Sequence, residues 1–518
     1  MNHVQLNPIF SDHMVLQCRK EVKVWGTCGK DSHIRVTLNE RCVSAEVNGE
    51  EWIAKLPPME AKSNLTLSVI SEEGELTVHD VAVGEVWIAG GQSNMEFYMK
   101  YEAGFSEAIK DCRNMDIRFF DVPEICYQGQ EQDFDFSRMG FWRVCNSENL
   151  EYYSAVSYYF ARKLQEDIGV PVGIIGCNRG ESPVSSWLPS ETVMAEGRIW
   201  QKEFENSLQG QSEKEALEVY RCETDDRGDP FAQEFNNRLL YGISHEEQQK
   251  LLVEMESDSK KVIASFHTKP GSLYENMLLS IVPYTVCGVI WYQGETDSQH
   301  TETYRALWSR MIDCWRDLWK EEFPFFCVQL APFEQWLWCR GDNFPIIREI
   351  QQEISREKRK VYLISSSDAG MQYDIHPKDK KAVGIRLALS VEKYIYGRNV
   401  SADAPMAEEG YREGEDLCIR FVCDADSLEL RGHKISSLTV RKHSGTETQE
   451  IDLSDIRTEL NGLVLRLKGI YRKVCGELEV RYASTGYYKV NLYSSAGIPA
   501  MPFTCIVKEK TDVSSSNT

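Results

Sequence analysis

The sequence predicts an α/β protein with a parallel sheet at its centre and β-sandwich material before and after it. Three observations predict this. Short apolar runs recur through the middle of the chain, each closed by a polar turn. Segments with helical spacing lie between them. Strand-like alternation broken by turn residues fills both ends. Strand–helix alternation implies a parallel sheet covered by helices, and short strands at close spacing imply a sandwich.

Residues 1–80 carry the first strand set: Val22–Trp25, Ile34–Leu38 and Leu65–Ile70, punctuated by Gly26, Gly29 and Gly74. The character changes after Asp80. Val86–Ala89, Val172–Gly176, Val286–Trp291, Phe325–Leu330 and Val361–Ile364 are continuous apolar runs, as strands buried on both faces require. Tyr152–Ile168 has helical periodicity, with Gly169 placed as a C-terminal cap. From Tyr304, the set Leu307, Trp308, Met311, Ile312, Trp315, Leu318 and Trp319 marks one face of an amphipathic helix. Residues 190–270 are charged and lack a strand pattern. Ser244-His245-Glu246-Glu247 there spells a capping box, so the stretch reads as a helical insertion. After Asn399 strands return at Leu417–Val422, Leu438–Val440, Leu463–Leu467 and Leu478–Tyr482. The expected division is therefore 1–80, 81–398, 399–510 and a Ser-rich disordered tail, 511–518.

Composition narrows the function classes. The 518 residues include 58 basic and 80 acidic side chains, a formal net charge of −22. Such a chain repels nucleic acid and anionic membranes, so neither is an expected partner. No apolar run approaches the ~20 residues of a membrane helix. The 16 cysteines form no C-x-x-C pair, so a zinc or dithiol site is not expected. The first residues show no charged segment followed by an apolar one, which leads to the expectation of a cytoplasmic protein with reduced thiols.

Four turns after the apolar runs carry groups suited to acyl transfer. Gly90-Gly91-Gln92-Ser93-Asn94-Met95-Glu96 follows the first run and offers a hydroxyl on a sharp turn. It lacks the second glycine of the G-x-S-x-G elbow, which argues against an α/β-hydrolase. Cys177-Asn178-Arg179-Gly180-Glu181-Ser182 offers a backbone N–H at a glycine, the kind of donor that holds an oxyanion. Trp291-Tyr292-Gln293-Gly294-Glu295 offers an amide and a carboxylate. Ser367-Asp368 through Asp374-Ile375-His376-Pro377 offers an imidazole with two carboxylates nearby, before a helix expected to start near Pro377. Each turn alone is equally ordinary strand-to-helix structure. Together they should open on one edge of one sheet, with nucleophile, base and oxyanion donors present.

Longer stretches carry a resemblance. Phe10–Gln17, Val83–Met95, Val289–Glu295, Asp374–Pro377 with Gly384–Arg386, and Gly497–Phe503 together resemble the sialate O-acetylesterase family of the SGNH-hydrolase superfamily, nearly end to end. The resemblance implies a flavodoxin-like three-layer catalytic domain and hydrolysis of sugar O-acetyl esters, without a metal or organic cofactor. By position it makes Ser93 the nucleophile, His376 the base and Asp374 the orienting acid. This chain spaces the pair Asp-x-His where SGNH enzymes commonly have Asp-x-x-His, which leaves Asp368 as the competing carboxylate. The implied oxyanion set is the N–H of Ser93, the N–H of Gly180 and a side chain from Gln293–Glu295. Gln92, Asn94 and Glu295 join the expected substrate-contacting set. Arg179-Gly180-Glu181-Ser182 stands where relatives tend to have Trp-Gly-Gly-Thr, so the acceptor pocket is altered. The expected partner is an acetylated carbohydrate. Acetylated xylan or mannan is the alternative substrate, and a non-catalytic sugar-binding protein the alternative class.

Overall fold

The computed structural model describes residues 4–30, 32–72, 74–132, 135–223, 234–257, 264–444 and 447–507. The expected tail, 511–518, lies outside them. The fold is mixed α/β, and the chain forms two compact units. The first comprises residues 1–327, 354–362 and 378–388, the second 328–353, 363–377 and 389–518.

The strands that matter, which lie in the first unit apart from Val328, Leu363 and Ile364, are β1 (Gly74–Gly91), β2 (Asn114–Asp121), β3 (Trp142–Cys145), β4 (Val172–Asn178), β5 (Gly288–Tyr292), β6 (Phe325–Val328) and β7 (Val361–Ile364). They line up in the order β3-β2-β4-β1-β5-β6-β7. The neighbours β2/β4, β4/β1, β1/β5 and β5/β6 are parallel, and the edge pair β2/β3 is antiparallel. The apolar run Val286–Trp291 forms a strand only from Gly288, and Phe325–Leu330 only as far as Val328.

The helices α1 (Ser93–Glu96), α2 (Ala155–Ile168), α3 (Thr301–Trp319) and α4 (Lys381–Tyr394) follow strands or loops of this sheet. Helix α2 rests on β1 through Phe160, which meets Trp87 edge-on at 5.5 Å. Helix α3 rests on β5 through Trp315, edge-on to Trp291 at 5.6 Å. Trp87 is in register with Gly288, three residues before Trp291. Side chains alternate along a strand, so Trp87 and Trp291 leave opposite faces and take one helix each. Gly169 closes α2 in the left-handed conformation at φ +67°, as a C-terminal glycine should.

β1 does more than centre this sheet. Its first half pairs antiparallel with Lys62–Ser71 and parallel with Val15–Gln17, so it belongs equally to the N-terminal strands. The change of character after Asp80 falls inside one continuous strand. Among the described residues of 190–257 lie five helices, Ser190–Glu196, Arg198–Ser207, Glu213–Glu223, Glu234–Tyr241 and His245–Ser257. The last opens on a capping box: the Glu247 N–H donates to Ser244 Oγ, and Ser244 N–H and Oγ both meet Glu247 Oε2 at 2.8 Å.

The second unit holds two four-stranded antiparallel sheets. One contains Met406–Glu413 and Asp416–Val422, the other Leu438–Ser444 and Leu478–Tyr482. Their inward residues, among them Leu417, Ile419, Val440, Leu465, Leu478 and Val480, form one buried apolar cluster. The same unit carries a short hairpin, Gln335–Trp336 with Cys339–Arg340.

Candidate active site

The turn that carries Ser93 is set by a steric requirement at the end of β1. Gly91 has φ +138°, and a Cβ there would lie 2.1 Å from the carbonyl oxygen of Tyr292. Only glycine allows β1 and β5 to stay paired while the chain turns away. Gln92 then locks the turn. Its Oε1 accepts from the N–H groups of Gly294 at 3.2 Å and Thr296 at 3.3 Å. Ser93 follows as the first residue of α1, half-buried.

The neighbouring loops of the first unit close around Ser93. The Arg179 N–H donates to the Gly91 carbonyl at 3.1 Å, which draws the loop after β4 alongside. A Cβ on Gly180 would sit 3.6 Å from Ser93 Cβ and 3.2 Å from Glu96 Oε2. The Gly180 N–H donates to that Glu96 carboxyl. Burial first, and then the charge of Glu124, hold the Glu96 carboxyl well above the usual carboxylate range, against the pull of Arg179. Arg179 pairs with Glu124 at 3.3 Å. Glu96, Glu124 and Glu181 thus set three acidic groups about Gly180, with Arg179 among them.

On the other side stands a buried chain of polar groups. Asn94 Nδ2 donates to Glu295 Oε1 at 2.5 Å, and Asn94 Oδ1 accepts from the Lys380 ammonium at 2.5 Å. Lys380 also lies over the rings of Phe97 and Tyr292, at 4.8 and 5.5 Å. Burial raises the Glu295 carboxyl, and the Asn94 hydrogen bond and the Lys380 charge oppose it. Beneath, Gln293 Nε2 donates to the Ser182 carbonyl at 3.3 Å and to Asp297 Oδ2. Asp297 Oδ2 also takes the Val184 N–H at 3.0 Å. Burial pushes Asp297 from 3.8 up to about 7.

The imidazole belongs to the second unit. His376 is 4% exposed and meets the Trp336 ring edge-on at 5.0 Å. Its backbone N–H donates to Asp374 Oδ1 at 2.8 Å, and the same oxygen stands 3.6 Å from Nδ1. Asp374 is buried, whereas Asp368 is exposed. The helix expected near Pro377 starts instead at Lys381. The Asp374 and Asp379 side chains accept the N–H groups of His376 and Lys381, and such turns compete with helix geometry.

The expected residues therefore fall into two groups. Ser93, Gln92, Asn94, Gly180, Gln293 and Glu295 gather at the carboxyl ends of β1, β4 and β5, where open α/β sheets bind ligands. His376 and Asp374 form their own pair. Glu96, Lys380, Asp297 and Trp336 went unnoticed in the sequence. Glu96 stands three residues after Ser93, and Lys380 four after His376, so proximity to a motif was the available signal for both. Among the described residues no group of three or more His, Cys, Asp and Glu side chains is placed to hold a metal ion. No described helix is long and apolar enough to cross a membrane.

Known proteins resemble this chain in fold and sequence. A carbohydrate acetylesterase from Xanthomonas citri has the same fold, with a TM-score of 0.73, 23% identity, and 97% of this chain and 99% of that one covered. Residues 226–393 match the family described as "Carbohydrate esterase, sialic acid-specific acetylesterase". That stretch takes in Gln293, Glu295, Asp374 and His376. The sialate O-acetylesterase of Mus musculus is 24% identical over 546 residues, covering 96% of this chain and 94% of its own. That of Homo sapiens is 23% identical over 533 residues, covering 94% and 89%. The chain is accordingly an esterase, with a carbohydrate-esterase match over residues 226–393. Over nearly its whole length it is similar to sialate O-acetylesterases, as the sequence resemblance implied.

Proposed function

We propose that this chain removes O-acetyl groups from a sugar through an acetyl-enzyme, with Ser93 as nucleophile and His376 as base. The observation that carries the reading is the Lys380 tether. Lys380 is hydrogen-bonded to Asn94, the residue after Ser93, and His376 is only four residues before Lys380. Four residues reach at most about 14 Å. This short covalent span is what supports reading Ser93 and His376 as parts of one machinery.

In the proposed reaction Asp374 faces Nδ1, which leaves Nε2 to take the Ser93 proton. The serine oxygen attacks the acetyl carbonyl. The N–H groups of Ser93 and Gly180 receive the oxyanion, each such donor contributing roughly 3–4 kcal/mol to the transition state. Glu96 must yield the Gly180 N–H at this step. His376 then protonates the departing sugar alcohol. Water attacks the acetyl-serine with His376 again as base, acetate leaves, and Ser93 recovers its proton.

One feature favours a neutral sugar, such as acetylated xylan or mannan, over a carboxylated one. Arg179, the cation beside Gly180, is already paired with Glu124, Glu181 adds a further acidic group, and Glu96, raised by burial, supplies no positive charge to offset them. Like charges repel, so an anionic sugar would meet the wrong field.

The test is acetate release from 4-nitrophenyl acetate and from acetylated xylo-oligosaccharides, manno-oligosaccharides and sialic acids. Ser93→Ala should abolish turnover and His376→Ala should lower kcat by at least about a thousandfold, both with unchanged circular dichroism. Full activity of Ser93→Ala would overturn the reading.

A further inference from the structure

The second unit exposes aromatic side chains on the two segments next to His376, and the proposed reaction does not use them. The hairpin pairs Gln335 with Arg340 and Trp336 with Cys339, so Leu337 and Trp338 form its two-residue turn. Leu337 is buried and takes a left-handed φ of +48°, which a branched residue adopts only under constraint. Burying Leu337 turns Trp338 outward, where it is 58% exposed. Two residues before Trp338, Trp336 lies against the His376 ring.

Both the hairpin and its neighbour are held firmly. The stem is fixed by Arg348, a fully buried guanidinium that donates to the carbonyls of Leu330, Ala331, Thr485 and Gly486 at 2.8–2.9 Å. The histidine loop is joined to the hairpin at Gln372. Its carbonyl accepts the N–H groups of Glu334 and Gln335, both at 3.1 Å, and its amide donates to Glu334 at 2.6 Å. Met371 and Tyr373, on either side of Gln372, are exposed. Trp338, Tyr373 and Met371 are thus exposed apolar side chains on two hydrogen-bonded segments that flank a buried histidine.

We infer that Trp338 is a stacking subsite for a pyranose ring of the substrate glycan, the sugar next to the one that loses its acetyl group. This rests on the proposed function and extends it from the ester to the chain around it. The leaving group takes its proton from His376, so a sugar must stand next to the imidazole. The faces of a pyranose are C–H surfaces rimmed by hydroxyls. They match an indole that is apolar on its face and polar at its N–H edge. A rigid turn pays no ordering cost when the ring lands on it.

The test uses the full chain and its Trp338→Ala and Trp338→Phe variants. The substrates are 4-nitrophenyl acetate and the acetylated oligosaccharide of the panel above that the parent hydrolyses fastest. Trp338→Ala should raise KM for the oligosaccharide about three- to tenfold, with kcat within about twofold. Its kcat/KM for the aryl acetate, which has no second ring, should stay within about twofold. Trp338→Phe should recover part of the KM. An unchanged KM, or an equal loss on both substrates, overturns the subsite. Loss of the underlying function is separately visible: Ser93→Ala would then keep the aryl esterase activity, or no acetylated sugar would be hydrolysed at all.

Discussion

Gly91 is where one missing methyl group decides the geometry. Its φ of +138° and the 2.1 Å approach to the Tyr292 carbonyl leave no room for a side chain. Gly91→Ala should destabilise the chain by about 3 kcal/mol or more, since both backbone strain and a clash between paired strands are involved. Urea unfolding would read this, and a loss under about 1 kcal/mol would show that the strands can part at little cost. Ser93 and Gly91 were legible in the sequence because glycine, a short polar residue and a preceding apolar run form a local pattern. Glu96 was not. It sits in the same motif, but its meaning comes from the Gly180 N–H, which reaches it from more than eighty residues away. Gln293 was legible as a polar residue in the right turn, yet its bonds to Asp297 and Ser182 depend on packing that no spacing rule contains.

At the scale of elements, the Lys380 ammonium is one of the ties that fasten the segment before α4 to the segment after β1, beside hydrogen bonds from the backbone N–H groups of Ala103 to Lys378 and of Lys380 to Glu102. Lys380 balances Glu295 and holds Asn94. Lys380→Met should leave Glu295 without its nearby cation and lower both stability and kcat. Adding Glu295→Gln removes the stranded charge, so the double variant should recover most of the stability. It should not recover kcat, because Asn94 still lacks its anchor. Melting temperature and aryl-acetate turnover of the three variants separate the two effects; recovery of both would reduce Lys380 to a counter-ion. The central strands were readable from their apolar runs, and the Ser244 capping box from its spelling. The start of α4 was misplaced by four residues because Pro377 suggested a helix, whereas two aspartates tie the intervening N–H groups into turns.

For the molecule as a whole, buried Asp297 ties stability to pH. Its carboxyl is raised from 3.8 to about 7. The folded chain therefore keeps a proton that the unfolded chain has released across that interval. The stabilising contribution is full at the acidic end and is lost as pH rises towards 7, by at most about 4 kcal/mol. Asp297→Asn should flatten the fall in melting temperature between pH 5 and pH 8, and parallel slopes for the two proteins would refute this. The α/β class and both strand-rich ends could be read from the sequence, since periodicity reports burial. What periodicity could not report was that the first strand of the central sheet begins among the N-terminal strands. β1 runs unbroken through both. Exchanging the leading eighty residues for those of a distant cousin would therefore mean grafting within a single extended backbone, with no hinge to absorb a mismatch. The seemingly ancillary start of the chain is inherited together with the serine it supports.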